Sequence, residues 1–194
     1  MKKLFAFATA MAFVAVSAHA QPPASEVPKA PKSDKPAPPA GQMPAAKPGP
    51  EHEILKKSVG TWDATVEEMA PGAPAKTSKG METAKLVGGL WLVSDFKSEM
   101  AGQPFEGHSV GGYDTNKKKY VGTWVDSMST GPWTSEGTFD PATKTLTDVM
   151  EGPGPDGKPM KCKAVTEWKD ADTKVFTMYM GEAPTMRITY KRRK

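Results

Sequence analysis

Asp126 and His108 are the residues of this chain whose types could support acid–base chemistry. Asp126 shares a predicted strand face with Trp124, and His108 lies on a preceding strand beside Gly107. A carboxylate and an imidazole can act as a general acid–base pair when they meet in a cavity, so an enzyme using Asp126 and His108 is one hypothesis. The alternative is that Asp126 binds turn backbone near Ser127 and Ser129. The chain has no nucleophile elbow, phosphate-binding loop or zinc-protease motif.

Metal and cofactor sites are not predicted. His52 and His108 lack the spacing of a zinc ligand set. Some small ten-stranded barrels that resemble nitrobindin bind haem through a histidine on a late strand. No histidine follows His108 here, which argues against such a site unless His108 itself turns inward. Met178, Met180 and Met186 are soft ligands that suit copper(I), but their spacing is also that of inward strand positions in an ordinary core.

Hydrophobic alternation with a period of two dominates the chain after residue 58. One face of each segment is apolar, as in Met160, Cys162 and Ala164, while Lys161 and Lys163 take the other face. Turn signals such as Gly88-Gly89 separate the segments. The pattern predicts an all-β fold: an antiparallel meander barrel of about nine or ten strands, with one short N-terminal helix over residues 51–58. A two-sheet sandwich is the alternative.

The N-terminal 50 residues predict export. Two lysines, an apolar run from Leu4 to Val16 and Ser17-Ala-His-Ala20 are typical of a signal peptide over residues 1–20. Residues 21–50, rich in Pro, Ala and Lys, predict a disordered linker, and residues 51–194 predict the barrel domain. We expect a periplasmic or secreted protein with no transmembrane segment after signal removal. The linker is either a spacer or a docking segment for an envelope partner.

The charge of the domain argues against nucleic acid as a partner. The whole chain has 26 basic and 22 acidic residues, of which residues 1–50 hold 6 and 2, so residues 51–194 hold 20 of each. A neutral domain lacks the basic surface that nucleic-acid binding requires. Cys162 is the only cysteine, which excludes an intramolecular disulfide, and its inward strand position predicts a small buried side chain.

The start of the predicted barrel resembles that of lipocalins and related calycins. Gly60-Thr-Trp62 follows the short helix directly, as the Gly-x-Trp signature does in those folds. The resemblance implies that Trp62 packs across the barrel bottom, beneath an arginine from a late strand. Arg187 is the candidate for that structural role.

A longer resemblance covers nearly the whole domain. It rests on Gly60-Thr-Trp, Gly88-Gly-Leu-Trp-Leu-Val, Pro104-Phe-Glu-Gly, Gly112-Tyr-Asp and Lys119-Tyr-Val-Gly-Thr-Trp-Val-Asp-Ser. These segments resemble the bacterial domain-of-unknown-function family 1579, and the block from Gly111 to Ser129 is the most specific part. The resemblance implies a fold and carries no catalytic residues.

A ligand-binding barrel is the leading functional hypothesis. Inward aromatic residues are interrupted by glycines, which would leave room for a small apolar or amphipathic ligand. The alternative classes are an envelope interaction or structural protein that uses the Pro-rich leader, and an enzyme that uses Asp126 and His108. The candidate ligand-binding residues are Trp124, Asp126, His108, Trp133 and Phe105.

Overall fold

The structure, a computed structural model, describes residues 45–100, 102–154 and 157–194. The predicted signal peptide and residues 21–44 of the predicted linker lie outside the described residues. In the described part of the chain, no helix has the length and apolar character needed to cross a bilayer.

A short helical segment precedes ten strands. It consists of a 3-10 turn at Pro50–His52 followed by helix α1 at Glu53–Lys57. The strands are β1 Gly60–Glu68, β2 Lys76–Val87, β3 Trp91–Met100, β4 Gln103–Asp114, β5 Lys119–Asp126, β6 Trp133–Asp140, β7 Thr145–Pro153, β8 Pro159–Trp168, β9 Thr173–Met180 and β10 Ala183–Arg192.

The ten strands form a closed antiparallel meander. Each strand pairs with its neighbours in sequence, and β1 pairs with β10 through a register that runs from Trp62 opposite Arg192 to Glu68 opposite Met186. Closure removes the exposed sheet edges that a sandwich would leave. The predicted barrel and its short helix are therefore confirmed, and the sandwich is excluded.

Inward and outward positions alternate as the sequence predicts. Cys162 and Ala164 are buried between exposed lysines on β8, and Ile188 and Tyr190 are buried on β10. Because the side-chain period of a strand is two, the paired registers carry this alternation from strand to strand, with one shift in the β9–β10 pairing between Pro184 and Met186. The prediction that Cys162 is a small buried side chain is confirmed, and its burial raises the pKa of the thiol.

The helical segment covers one end of the barrel, which we call the barrel floor. Ile54 and Leu55 are buried there and pack with Tyr120 and Trp168. His52 is also buried. Its Nδ1 accepts a hydrogen bond from the Gly49 N–H at 2.9 Å, and its ring packs edge-on against Tyr113.

Trp62 closes the floor, but its cationic partner is not Arg187. The indole is fully buried, and its N–H donates to the Ser58 carbonyl at 2.9 Å. The Arg192 guanidinium lies 4.0 Å from the ring centroid. Arg187 is exposed, five residues earlier on β10, opposite Glu67. An odd spacing puts Arg187 and Arg192 on opposite faces of the strand, so the predicted role of Arg187 is wrong.

Candidate functional site: a cavity inside the barrel

Small inward residues leave a cavity at mid-height in the barrel. Aromatic clusters fill the floor and the wall formed by β1, β3, β4 and β10. Between them, β4 to β8 contribute small side chains to the inner face. The resulting cavity has a volume of about 740 Å³, and the small residues that line it are Ser109, Gly111, Gly122, Ser135, Ala164 and Thr166. A volume of this size is typical of sites for small organic ligands.

The cavity opens at the end of the barrel opposite to the floor. Exposed residues of the β1–β2 connection, including Pro74, line it there together with the exposed Met128. Methionine is abundant along its upper walls. Unbranched, polarisable methionine side chains adapt to apolar groups of varied shape, and the six that line the cavity are Met69, Met100, Met128, Met150, Met178 and Met186.

Trp124 and Phe105 form an aromatic wall of the cavity. Their rings are stacked, with centroids 6.3 Å apart and an interplanar angle of 20°. The Trp124 ring lies over Gly107 on the neighbouring strand: a Cβ at Gly107 would come within 2.1 Å of the ring. The missing side chain thus creates the space that holds the indole. Both rings present apolar surface to a ligand.

Asp126 holds Trp124 in place and also closes a turn. Its carboxylate accepts hydrogen bonds from the Trp124 indole N–H at 2.9 Å, the Met128 backbone N–H at 2.9 Å and the Ser129 hydroxyl at 3.4 Å. Asp126 therefore binds turn groups, as the alternative interpretation from the sequence expected, and it also lines the cavity. Three donors leave this carboxylate well satisfied.

An ion pair spans the lower part of the barrel. Lys174 and Glu82 are both buried, and Lys174 Nζ lies 2.5 Å from Glu82 Oε1. The ammonium also lies 4.5 Å from the Tyr190 ring centroid and 4.9 Å from that of Trp62. Burial and the neighbouring Glu82 carboxylate raise the pKa of Tyr190 well above its ordinary value. The pair lines the cavity but is already neutralised.

Asp148 is a further cavity carboxylate, which reasoning from the sequence missed as a site residue. It lies on β7 opposite Gly137, and a Cβ at Gly137 would come within 2.2 Å of its Oδ1. Within the described ranges, no hydrogen bond or ion pair reaches this side chain. Desolvation raises the pKa of Asp148 to about 6. An unpartnered carboxylate in an apolar cavity is unusual and often marks a functional group.

The sequence indicated the inward position of Lys174 more clearly than that of Asp148. Lys174 lies two residues before Phe176 and therefore shares its inward face, which the alternation already indicated. Asp148 was harder to place, because Val149 beside it is exposed and breaks the apolar alternation of β7. Only the register, which sets Asp148 opposite Gly137, shows that its carboxylate has room inside the barrel.

Four of the five predicted ligand-binding residues line the cavity. They are Trp124, Asp126, Trp133 and Phe105. His108 does not: its side chain is 64% exposed on the outer face of β4, where Nδ1 pairs with the Asp95 carboxylate. The placement of His108 in the lumen is therefore wrong, because Gly107 takes the inward position. Asp126 and His108 lie on opposite faces of the barrel wall and cannot act as a catalytic pair.

Side chains that could bind a metal are scattered in the described part of the chain. No cluster of three histidine, cysteine or acidic residues suited to a metal occurs in the part of the chain that the structure describes. Met178 lies opposite Met186, and both line the cavity, while Met180 is more exposed near the end of β9.

In the described ranges, the Trp168 indole N–H is the one fully buried side-chain polar group without a hydrogen-bond partner.

Comparisons with known proteins give a similar barrel structure and a matching family. The crystal structure of Rv2717c from M. tuberculosis is similar, with 12% identity, a TM-score of 0.58, and coverage of 75% of this chain and 99% of that one. A de novo designed fluorescence-activating β-barrel matches with 11% identity and a TM-score of 0.43, over 72% of this chain and 97% of the design. No curated protein matches significantly. The family model described as "Protein of unknown function (DUF1579)" matches residues 47–192, and the chain belongs to this family.

Proposed function

We propose that this protein is an exported binding module whose barrel holds one small apolar or amphipathic ligand. The observation that carries the proposal is the cavity of about 740 Å³, which is open at one end and lined mainly by apolar side chains. Packed barrels fill such space with large side chains, whereas this one has glycine, serine and alanine at the same level. Burial of apolar ligand surface against Trp124, Phe105 and the methionines supplies the binding free energy.

A titration with uncharged amphiphiles tests the binding function. The probes are 1-dodecanol and retinol, and the readout is the intrinsic fluorescence of the protein, since Trp124 and Trp133 line the cavity. We expect a saturable change with one ligand per chain. Absence of a saturable change with both probes would contradict the proposal.

A pair of variants on β6 distinguishes the cavity from the outer surface. Ser135→Phe puts a ring into the lumen, over Gly122, where the Ser135 hydroxyl now lies. Thr134→Phe adds the same ring to the exposed outer face. Because the first ring occupies ligand volume, we expect it to weaken dodecanol binding by about tenfold or more, equivalent to about 1.4 kcal/mol, while Thr134→Phe changes binding by less than about twofold. Equal effects would indicate binding outside the barrel.

Export to the periplasm is a separate part of the proposal and rests on the sequence of residues 1–20. Cell fractionation followed by sequencing of the mature N-terminus tests it, with Gln21 as the expected first residue. An intact Met1 in the cytoplasmic fraction would contradict it. A docking role for residues 21–50 remains a prediction from their composition.

A further inference from the structure

Some of the charged side chains that line the cavity have a partner of opposite charge, and others do not. Among the described residues that line it, four are acidic and two are basic. Glu82 is bound by Lys174, and Glu68 lies opposite Lys76 in the β1–β2 register. Asp126 has three hydrogen-bond donors. The remaining carboxylate, Asp148, therefore has neither a cation nor a donor of its own in the described part of the barrel.

The groups around Asp148 explain why it has no partner. From β6, the inward residues Ser135, Gly137 and Phe139 present no titratable group. From β8, Ala164 lies opposite Asp148, and Cys162 is two residues away with a thiol whose pKa burial raises. The Lys174 ammonium on β9 is held by Glu82 and by two aromatic rings. Across the lumen, the Asp126 carboxylate adds negative charge, Glu82 is neutralised by Lys174, and the Tyr120 hydroxyl donates to the Glu51 carbonyl.

The position of Asp148 suits a head group with an apolar tail. Along β7 it lies between Leu146, which packs with the floor cluster, and Met150, which lines the upper wall. A group bound at Asp148 is thus at mid-depth, with methionine and aromatic surface between it and the open end. An isolated carboxylate in such surroundings is stabilised strongly by a bound cation, because the local dielectric constant is low.

We propose that Asp148 is the anchor for the ligand and that the ligand is an amphiphile with a cationic amine head group. This inference rests on the proposed binding function and specifies the class of ligand. The ammonium would donate hydrogen bonds to the Asp148 carboxylate, while the apolar tail contacts the Trp124 wall and the methionines. A carboxylate head group, as in a fatty acid, would add a third uncompensated negative charge and is disfavoured.

Three amphiphiles with the same tail test the proposal. Dodecylamine and dodecanoate, below their critical micelle concentrations, and 1-dodecanol, below its solubility limit, are compared by titration calorimetry. We expect dodecylamine to bind at least about tenfold more tightly than dodecanol, as a charge-assisted hydrogen bond predicts, and dodecanoate to bind most weakly. Dodecanol binding as tight as that of the amine would overturn the proposal and leave the binding function standing. If none of the three binds, the amine proposal fails, and the binding function fails with it when retinol does not bind either.

An isosteric variant locates the effect at Asp148. Asp148→Asn is expected to abolish the amine preference, so that dodecylamine and dodecanol bind this variant with affinities within about twofold of each other. The matched control Asp95→Asn removes a carboxylate from the outer face and is expected to leave both affinities unchanged. An amine preference that survives in Asp148→Asn would overturn the assignment.

A pH series on the unaltered protein gives an independent measurement. The carboxyl of Asp148, with its pKa of about 6, is mostly charged at pH 7.5 and mostly protonated at pH 5, while the alkylamine stays protonated in solution throughout. Dodecylamine affinity is therefore expected to fall severalfold from pH 7.5 to pH 5, with dodecanol affinity constant. A flat profile for the amine contradicts an anchor at Asp148.

Discussion

At the scale of the residue, two copies of the same tetrapeptide place their tryptophans in different roles. Val-Gly-Thr-Trp occurs at Val59–Trp62 and at Val121–Trp124. In the first copy the indole is fully buried and closes the floor, whereas in the second it is half-buried and lines the cavity. The difference comes from the neighbours: Ser58 and Arg192 in one case, Asp126 and Gly107 in the other. The tetrapeptide lies at the start of β1 but in the middle of β5, and its surroundings decide what the tryptophan side chain does.

Arg192 is predicted to stabilise the fold, and Arg187 is not. The Arg192 guanidinium donates to the Val59 and Lys57 carbonyls at 2.6 and 2.8 Å and covers Trp62. Arg192→Ala leaves those carbonyls without this donor and uncovers the ring, so we expect a loss of about 2–3 kcal/mol in the free energy of unfolding. Arg187→Ala on the exposed face serves as the control, with a change within about 0.5 kcal/mol. Urea denaturation measures both, and equal losses would contradict the assigned role.

At the scale of the element, pairs of glycine and aromatic residues on neighbouring strands shape the barrel wall. Trp124 lies over Gly107, and Trp133 lies over Gly152, where a Cβ would come within 2.2 Å of the ring. In both cases the missing side chain lets a large ring lie flat against the sheet. The rings then form the wall of the cavity without filling its centre. These glycines are thus part of the site although they contact no ligand themselves.

Gly107→Ala is predicted to displace Trp124, and Gly111→Ala is the matched control on the same strand. A Cβ at Gly111 meets its nearest atom at 3.7 Å, an ordinary contact. We expect Gly107→Ala to cost about 1–3 kcal/mol through the forced movement of the ring, and Gly111→Ala to be neutral or slightly stabilising. NMR of the indole N–H signals adds a local readout, because the Trp124 N–H bonded to Asp126 should shift only in the first variant. An unchanged signal in Gly107→Ala would contradict the packing.

The strands could be predicted from the sequence far better than the site. Alternation in β8 and β10 and turn signals such as Gly88-Gly89 are local, so they were enough to predict the barrel and the inward faces of those strands. The position of His108 was not predictable in this way, because a histidine and three glycines give β4 no clear apolar face. Asp148 depends on Gly137, a partner eleven residues away whose register only the folded sheet defines. A site whose residues come from several strands cannot be predicted from the local pattern of any one strand.

At the scale of the whole molecule, the cavity affects stability as well as binding. A barrel of this size would gain stability by filling its interior with large apolar side chains. This one instead keeps open space and a carboxylate without a partner among the described residues. Features that lower stability and persist inside a fold are expected where function requires them. The pH dependence of unfolding should therefore reveal Asp148 directly.

Asp148→Asn is predicted to stabilise the protein at neutral pH and to have no effect in acid. The pKa of Asp148 is about 6 in the folded protein against an ordinary value of 3.8, so folding disfavours its charged form. Below about pH 3 the carboxyl is protonated in both states and contributes no penalty, and at pH 4 the penalty is still below about 1 kcal/mol. As the pH rises through 6 the penalty develops fully, up to about 3 kcal/mol, since a tenfold change in proton affinity corresponds to about 1.4 kcal/mol.

Urea unfolding of the unaltered protein and of Asp148→Asn at pH 4 and pH 7.5 measures this difference, because the other titrating groups are common to both. Asp140→Asn provides a control of opposite sign. Hydrogen bonds from the Ala142 backbone and the Thr143 hydroxyl lower the pKa of Asp140, so its charged form stabilises the fold and the variant should be less stable at pH 7.5. An Asp148→Asn protein that is no more stable at pH 7.5 than the unaltered one would mean that the carboxylate has a partner or is well hydrated. The cavity would then not bind a cationic ligand in preference to an uncharged one.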